Sequence, residues 1–385
     1  MTADKPEQPE KFSFSSSIAH DVWHPKQNAE GYEWWYFDAL SDDGKDAIVV
    51  IFLDNFIFSP RYNSQCQKQN KQRNNGKKIN LTDSQTSQDE GQGTKDKIKH
   101  FPAIAFFYYR DGKPLYRAIN EFTPESFSAD VRLPACKLGE NSFKFESAPY
   151  GSGYLLSIKA DLQRKRKIEA KLEWLSVESD FLPHKDFGDL KDRHNWNLVC
   201  SRSDVTGSIK VSDEKGKSLD VRHFRGTGYH DHNCDGRWLP QTVRDWQWGR
   251  AHFSDATAVY YRYRELNSDE PVTKLFLIKD GELKMYDAYY EEKKMRRSIF
   301  GVKFPKEITI STENNIELNV TQFKPIDESF FYLRFLSEAQ LKCPDAETHE
   351  AFAITEHLAP KALKYRWLDW LINMRIGRNG KGSFL

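Results

Sequence analysis

The sequence predicts a mainly β protein with two hydrophobic cores. Three observations carry that reading: a length beyond one core, short alternating segments along most of the chain, and a helical pattern confined to its end. At 385 residues the chain exceeds the roughly 250–300 residues at which single cores stop growing. The run DAIVVIFLDNFIF from Asp46 to Phe58 and the run FPAIAFFYYR from Phe101 to Arg110 are rich in β-branched and aromatic residues. Their length favours buried strands over helices, and Asp111-Gly112 supplies a turn after the second. The segments SFKFESA, GYLLSIKADLQ, KIEAKLEWLS and GSIKVS alternate apolar and polar positions between turn residues, as strands of a barrel or sandwich do.

The remaining stretches read differently. Residues 1–19 read as a flexible N-terminus. From about residue 62 to 99 the chain is crowded with Gln, Asn, Lys, Ser and Asp and poor in large apolar residues, which predicts a disordered insertion with Cys66 exposed on it. Near the end, Pro360 suits a first helical turn, and Leu363, Trp367, Trp370, Leu371 and Met374 recur at spacings of three and four, which predicts a helix over about 360–376. With Lys361, Lys364, Arg366, Arg375 and Arg378 beside Tyr365 and Trp370, its composition is compatible with lying on a bilayer surface. It is equally that of a helix packed across a barrel mouth with solvated basic residues.

Composition narrows the function. The formal net charge is +1, so no global field draws the protein to nucleic acid. Aromatics make up 14% of the chain, with ten Trp, more than an ordinary core requires, so some rings are expected to line a cavity. The five cysteines are scattered and odd in number, which predicts reduced thiols in a cytoplasmic protein rather than a disulfide framework. The opening MTADKPEQPEKFSFSSS lacks an apolar signal core, and no stretch reaches the ~18–20 uncharged apolar residues of a membrane span. A lipid-soluble ligand would then be met at a membrane surface or through a partner.

Titratable groups bunch most tightly in GTGYHDHNCDGRWLPQTVRDWQWGR, from Gly226 to Arg250. If Tyr229–Cys234 is extended, His230, His232 and Cys234 share one face, with Tyr229, Asp231 and Asn233 on the other. Side chains on one face stand roughly 6.6 Å apart, so the two imidazoles can converge on a ligand or a proton path. Three readings follow: a hydrogen-bond network pinning a strand end, a metal site of His230, His232 and Cys234, or an acid/base site in an apolar cavity. The run GYEWWYFDA, residues 31–39, places rings on both faces of a strand; either one face fills a core while the other lines a seam between halves, or all of the rings are core. Trp246-Gln247-Trp248 sets two indoles on one face, and His194-Asn195-Trp196 adds a polar-aromatic group near the expected junction.

The chain resembles the carotenoid 1,2-hydratase family, also called hydroxyneurosporene synthases, and its lipocalin-like double-domain relatives. The resemblance rests on EWWYFDA at 33–39, HNWN at 194–197, GTGYHDHN at 226–233, WQWGR at 246–250 and EHLAP at 356–360 with the basic segment up to 378. It implies two lipocalin-like (calycin-type) antiparallel β-barrel domains, over 20–195 and 196–385, with a C-terminal α-helix. It implies addition of water to the terminal double bond of an acyclic carotenoid or similar hydrophobic isoprenoid, with no cofactor and no metal. His232, supported by His230 or Asp231, would handle the proton. Tyr229, Tyr260, Trp246 and Trp248 would wall the cation, and Trp34, Trp35 and Asn233 would join them around the substrate. Cys234 stands where the family pattern has a Trp, and Arg262 where it has a carboxylate. The same architecture also serves acid/base cyclases, and a non-catalytic carrier of an apolar ligand is the alternative from another class.

Overall fold

The computed structural model describes residues 12–26, 28–79, 99–148, 151–175, 193–344 and 347–383. The alternating segments pair into two curled, mostly antiparallel sheets that form half-barrels. In the first sheet, of thirteen strands among the described residues, the centre is made by β1 (Tyr32–Ser41), β2 (His194–Ser212) and β3 (Ser218–Asp235). Strand β3 runs between β1 and β2, Asp46–Leu53 and Ala103–Arg110 continue beyond β1, and Lys167–Leu175 continues beyond β2. The second sheet has nine strands among the described residues, including β4 (Val243–His252), β5 (Ala256–Glu265), β6 (Tyr332–Lys342) and β7 (His349–Leu358), ordered β5-β4-β7-β6 at its centre.

Period-two alternation decides which core each ring enters. On β1, Trp35 and Phe37 pack inside the first half with Ile48, Val50, Phe106 and Trp174. Trp34 and Tyr36 point the other way, into a cluster between the sheets that holds Trp196, Tyr229, Trp246, Trp248 and Tyr261. A third cluster, around Tyr260, Leu275, Ile310 and Leu318, fills the second half. The expected seam of aromatic rings is therefore the middle of three cores. The glycines of GTGYHDHN permit the close strand packing: a Cβ at Gly226 would lie 2.1 Å from the Leu40 carbonyl oxygen, and one at Gly228 would lie 2.4 Å from Trp174 Nε1.

Several expectations need correction. Phe12–Ser15 forms a strand parallel to β2, so the expected flexible N-terminus is structured from residue 12; residues 1–11 lie outside the described residues. Pro60–Ile79 is an α-helix, not part of a disordered insertion, and residues 80–98 lie outside the described residues. Cys66 on that helix is fully buried, its thiol directed at the Ala29 carbonyl at 3.7 Å. Burying one turn against the seam stabilised a segment whose composition alone could not. The division expected at 195/196 falls inside β2, and the chain leaves the first sheet only after Asp235, crossing to β4 through a one-turn helix, Leu239–Thr242.

The C-terminal helix is also broken. Pro360–Lys364 and Arg366–Leu368 are 3-10 turns separated by an extended Tyr365, and only Asp369–Asn373 is α-helical. Leu363, Ile372 and Ile376 dock into the seam cluster, whereas Trp367 and Trp370, placed by periodicity on the buried stripe, face solvent. Tertiary anchoring at those three positions overrides the helical repeat.

A buried ion pair joins the two sheets. Arg250 on β4 donates from Nε to Asp38 Oδ1 on β1 at 3.0 Å, with a second bond from Nη2, and both side chains are essentially inaccessible. Truncating one partner leaves a charge stranded in an apolar seam. The Asp38→Ala variant is expected to lose about 3–5 kcal/mol of unfolding free energy in denaturant titration; a loss below about 1 kcal/mol would show that the pair does not hold the seam.

Candidate active site

Strand β3 is a wall shared by two compartments, and the alternation read from its sequence assigns a different chemistry to each. His230 and His232 turn into the first half. The His230 ring stacks on Phe37 at 3.8 Å between centroids, with Nδ1 2.9 Å from the Tyr36 carbonyl and Nε2 3.0 Å from Asp21 Oδ2. His232 stacks on Trp35, with Nε2 2.7 Å from Glu33 Oε1 and Nδ1 3.2 Å from the His20 carbonyl. Every ring nitrogen faces an acceptor, and neither ring is accessible. Burial opposes charge on Glu33, yet the Lys26 ammonium and hydrogen bonds from His232 and His24 hold its carboxyl well below the usual carboxylate range.

This corrects the expectation that the imidazoles project into the seam. Trp35 goes with them, packed on His232 rather than facing the apolar chamber. The metal set His230, His232 and Cys234 gives way to another: among the described residues, His24, Glu33 and His232 have ligand atoms within 4.8 Å of one another. The Lys26 ammonium is bonded to the second Glu33 oxygen and supplies a positive charge to that group.

The opposite face of β3 brings Tyr229, Asp231 and Asn233 into the seam. The buried Asp231 carboxyl accepts from Trp196 Nε1 at 3.0 Å and Tyr229 Oη at 2.8 Å, both on Oδ2, and from Asn233 Nδ2 at 3.0 Å on Oδ1. Tyr229 in turn accepts from Trp248 Nε1 at 3.3 Å across the seam. Burial pushes the Asp231 carboxyl up to about 8; the hydrogen bonds from Trp196 and Tyr229 oppose this, and the negative charges of Glu356 and Asp38 reinforce it. Asp231 is therefore mainly a neutral acid near pH 7. The HNWN motif finds its purpose here, since it places Trp196 on Asp231 and His194 Nε2 2.8 Å from Tyr261 Oη. Burial, with the Arg237 charge, pushes His194 down to about 3 and keeps that imidazole neutral.

A second carboxyl group shares the compartment and was not singled out from sequence. Glu356 on β7 pairs with Trp248 across the strands and forms an ion pair with Arg334, whose Nε lies 2.8 Å from Oε1. Arg334 is itself buried, with its guanidinium 5.5 Å from the Tyr332 ring centre and 5.7 Å from that of Tyr36. Asp231, Asn233 and Glu356 line a chamber of about 30 Å³ walled by Trp34, Tyr36, Trp246, Trp248 and Tyr261. That is room for a water molecule with several polar partners. Trp34, Tyr36, Trp246 and Glu356 also line an adjoining cavity of about 360 Å³ whose other walls are mostly apolar, among them Leu53, Phe107, Phe331 and Ile372.

The wall expected from β5 shifts by one residue. Tyr260 lies in the core of the second half, whereas Tyr261 faces the chamber. Arg262 shares the face of Tyr260 and pairs with Asp245 at 2.7 Å, so its permanent charge points away from the chamber. Of the residues expected around the substrate, Trp34, Tyr229, Asn233, Trp246 and Trp248 gather at the seam. Tyr36, Tyr261 and Glu356 were missed. Reading period two through EWWYFD would have found Tyr36; Glu356 opens the EHLAP motif, but nothing local gives it a role, because its partners come from other strands.

The raised Asp231 carboxyl sets a pH signature. Its proton is held more tightly in the folded chain than in the unfolded one, so folding loses free energy as pH climbs from the ordinary carboxylate range to about 8 and loses no more above it. Asp231→Asn removes that slope. The stability of the variant relative to the parent is expected to rise between about pH 4 and about pH 8 and then level off, as measured by denaturant unfolding at each pH; a flat difference would show that Asp231 ionises normally.

The family model for the carotenoid hydratase CrtC matches residues 185–384, just over half of the chain. A hydroxyneurosporene dehydrogenase of Chlorobaculum tepidum is 26% identical over 383 residues, covering 96% of this chain and 94% of that protein. An acyclic carotenoid 1,2-hydratase of Rubrivivax gelatinosus is 24% identical over 276 residues, 67% of this chain and 54% of that protein. Among solved structures, CghA aligns with a TM-score of 0.54 at 10% identity, covering 92% of this chain and 95% of that one. A Nitrosomonas europaea protein described as AttH aligns with a TM-score of 0.51 at 12% identity, covering 84% and 91%. These two show a shared fold. With the matched segment running from β2 through the seam strands to the C-terminal turns, the chain belongs to the carotenoid hydratase CrtC family, enzymes of the hydro-lyase type.

Proposed function

We propose that this protein adds water across the terminal, trisubstituted double bond of an acyclic carotenoid or closely related isoprenoid, with Asp231 as the acid and Glu356 as the base. The observation that carries this reading is the pairing of a neutral carboxyl with an ion-paired carboxylate in one water-sized chamber at the end of an apolar cavity. A buried carboxyl that keeps its proton suits the acid, and a carboxylate held by a guanidinium suits the base. The names of the Rubrivivax relative and of the matching family support the substrate class.

The steps balance without a cofactor. The alkene π pair takes the Asp231 proton at its less substituted carbon, leaving positive charge on the tertiary carbon. The π faces of Trp34, Trp246 and Trp248 and the nearby Glu356 carboxylate stabilise that charge in a dry seam. A water oxygen then forms the C–O bond and gives its proton to Glu356. Returning that proton to Asp231 through the next water restores both groups. The cavity of about 360 Å³ takes one end of a long substrate and leaves the rest to extend outward. The basic, aromatic C-terminal segment borders that cavity through Leu371, Ile372 and Arg375, which supports peripheral contact with a membrane holding such substrates.

Conversion of lycopene or neurosporene supplied in detergent is expected to fall ~10²–10⁴-fold in Asp231→Asn, with substrate binding retained. In the parent protein the rate should decline as pH passes about 8, because the acid is then ionised. Full activity in Asp231→Asn would refute the assignment, and loss of activity in a folded His232→Gln protein with Asp231→Asn still active would give the role to the imidazole. Binding without conversion in the parent protein would favour the carrier.

A further inference from the structure

The cavity has one rim that does not resemble an ordinary protein surface. Phe300, Phe330, Leu371 and Arg375 line the cavity and are only partly buried. In the same two segments of the chain, Ile299 is 84% exposed, Trp367 72%, Trp370 58% and Tyr365 47%. The rim is made by two separate segments tied to each other. The Arg375 guanidinium lies 5.7 Å from the centre of the Phe300 ring and donates to the Glu328 carbonyl at 3.0 Å, while the Ile299 amide donates to the Glu328 carboxylate at 3.3 Å. The turn at 298–301 and the 371–375 end of the C-terminal segment are therefore held at the same edge of the cavity.

Charge says what such a rim meets. Residues 361–381 carry Lys361, Lys364, Arg366, Arg375, Arg378 and Lys381 against the one acid Asp369, in a chain whose net charge is only +1. Arg296 and Arg297 lead into the turn at 298–301 and are exposed. Exposed indole and phenol rings amid cations match the depth profile of a bilayer interface, where rings sit at headgroup level and basic side chains face anionic lipid. A contact between protein copies would leave this charge facing itself.

We infer that the turn at 298–301 and the segment 365–375 form one docking surface for an anionic bilayer, and that docking sets the cavity rim in the headgroup layer so that the apolar substrate enters end-on from the lipid. This rests on the proposed isoprenoid substrate and adds the route by which it arrives. The headgroups supply the ligand chemistry, and the rings enter only to the interface, since no helix among the described residues is long and apolar enough to cross a membrane.

Vesicle co-sedimentation tests the surface with phosphatidylcholine alone and with added phosphatidylglycerol. Binding is expected to strengthen at least ~10-fold with the anionic lipid and to weaken as salt is raised. Trp367→Ala with Trp370→Ala, or Ile299→Ser, should weaken it by at least ~10-fold while leaving thermal unfolding unchanged, because these side chains are exposed. Absence of binding, binding insensitive to these changes, or a dimer in sedimentation velocity that the same variants abolish would each overturn the inference. Conversion assays separate this from the reaction itself. The double Trp variant should keep its rate on substrate in detergent and lose it on substrate in vesicles, whereas Asp231→Asn should lose both; equal vesicle and detergent rates for the double Trp variant would overturn docking and leave the chemistry standing.

Discussion

The site depends on the exclusion of bulk water from Asp231. Packing two curled sheets face to face puts this carboxyl among Trp196, Tyr229, Trp248 and Tyr261, where ionisation has no solvent to stabilise it. Three hydrogen bonds fix its orientation without giving it enough compensation to stay charged. The Arg334 guanidinium is placed on Glu356 instead, so the two carboxyl groups of one compartment have different partners: neutral hydrogen-bond donors at Asp231 and a cation at Glu356. Proton transfer to an alkene needs an acid that is still protonated near neutrality, and proton removal from water needs a base that is not.

The polar network on the other face of β3 serves a different end. His230 and His232 reach Asp21 and Glu33, Glu33 holds His24 and Lys26, and Asp54 holds Trp23 and His100. Buried groups at such density are tolerated only when they satisfy one another, and a satisfied network is stiff. That stiffness passes directly to the seam, because Asp231 lies between His230 and His232 on a single strand. Under the proposed reaction the imidazoles are positioning residues: they fix the strand from one side, with the Asp231 carboxyl on the other.

The cavity and the C-terminal turns complete the compartment. Leu363, Ile372 and Ile376 close the seam, and Gly377–Arg378 pairs with Lys113–Glu121 of the first sheet, so the end of the chain bridges both halves. A continuous amphipathic helix would have buried Trp367 and Trp370. The extended Tyr365 breaks it and leaves those rings facing outward.

Local pattern was enough to read the β class, the rings on both faces of β1, and the split of Tyr229–Cys234 into two sets, because strand geometry alternates side chains whatever the partner. It could not say which set faces the seam, since that depends on which side of β3 the second sheet covers. The imidazoles were expected in the chamber for their titration range, yet the carboxyl beside them occupies it, its pKa raised by a burial that no local sequence encodes. The helix at Pro60–Ile79 and the break at Tyr365 were hidden for the same reason: composition and periodicity report what a segment prefers alone, and contacts with distant strands outweighed both. Glu356 lies 125 residues beyond Asp231, and only the pairing of β7 with β4, packed against β1 and β3, brings the two carboxyl groups into one chamber.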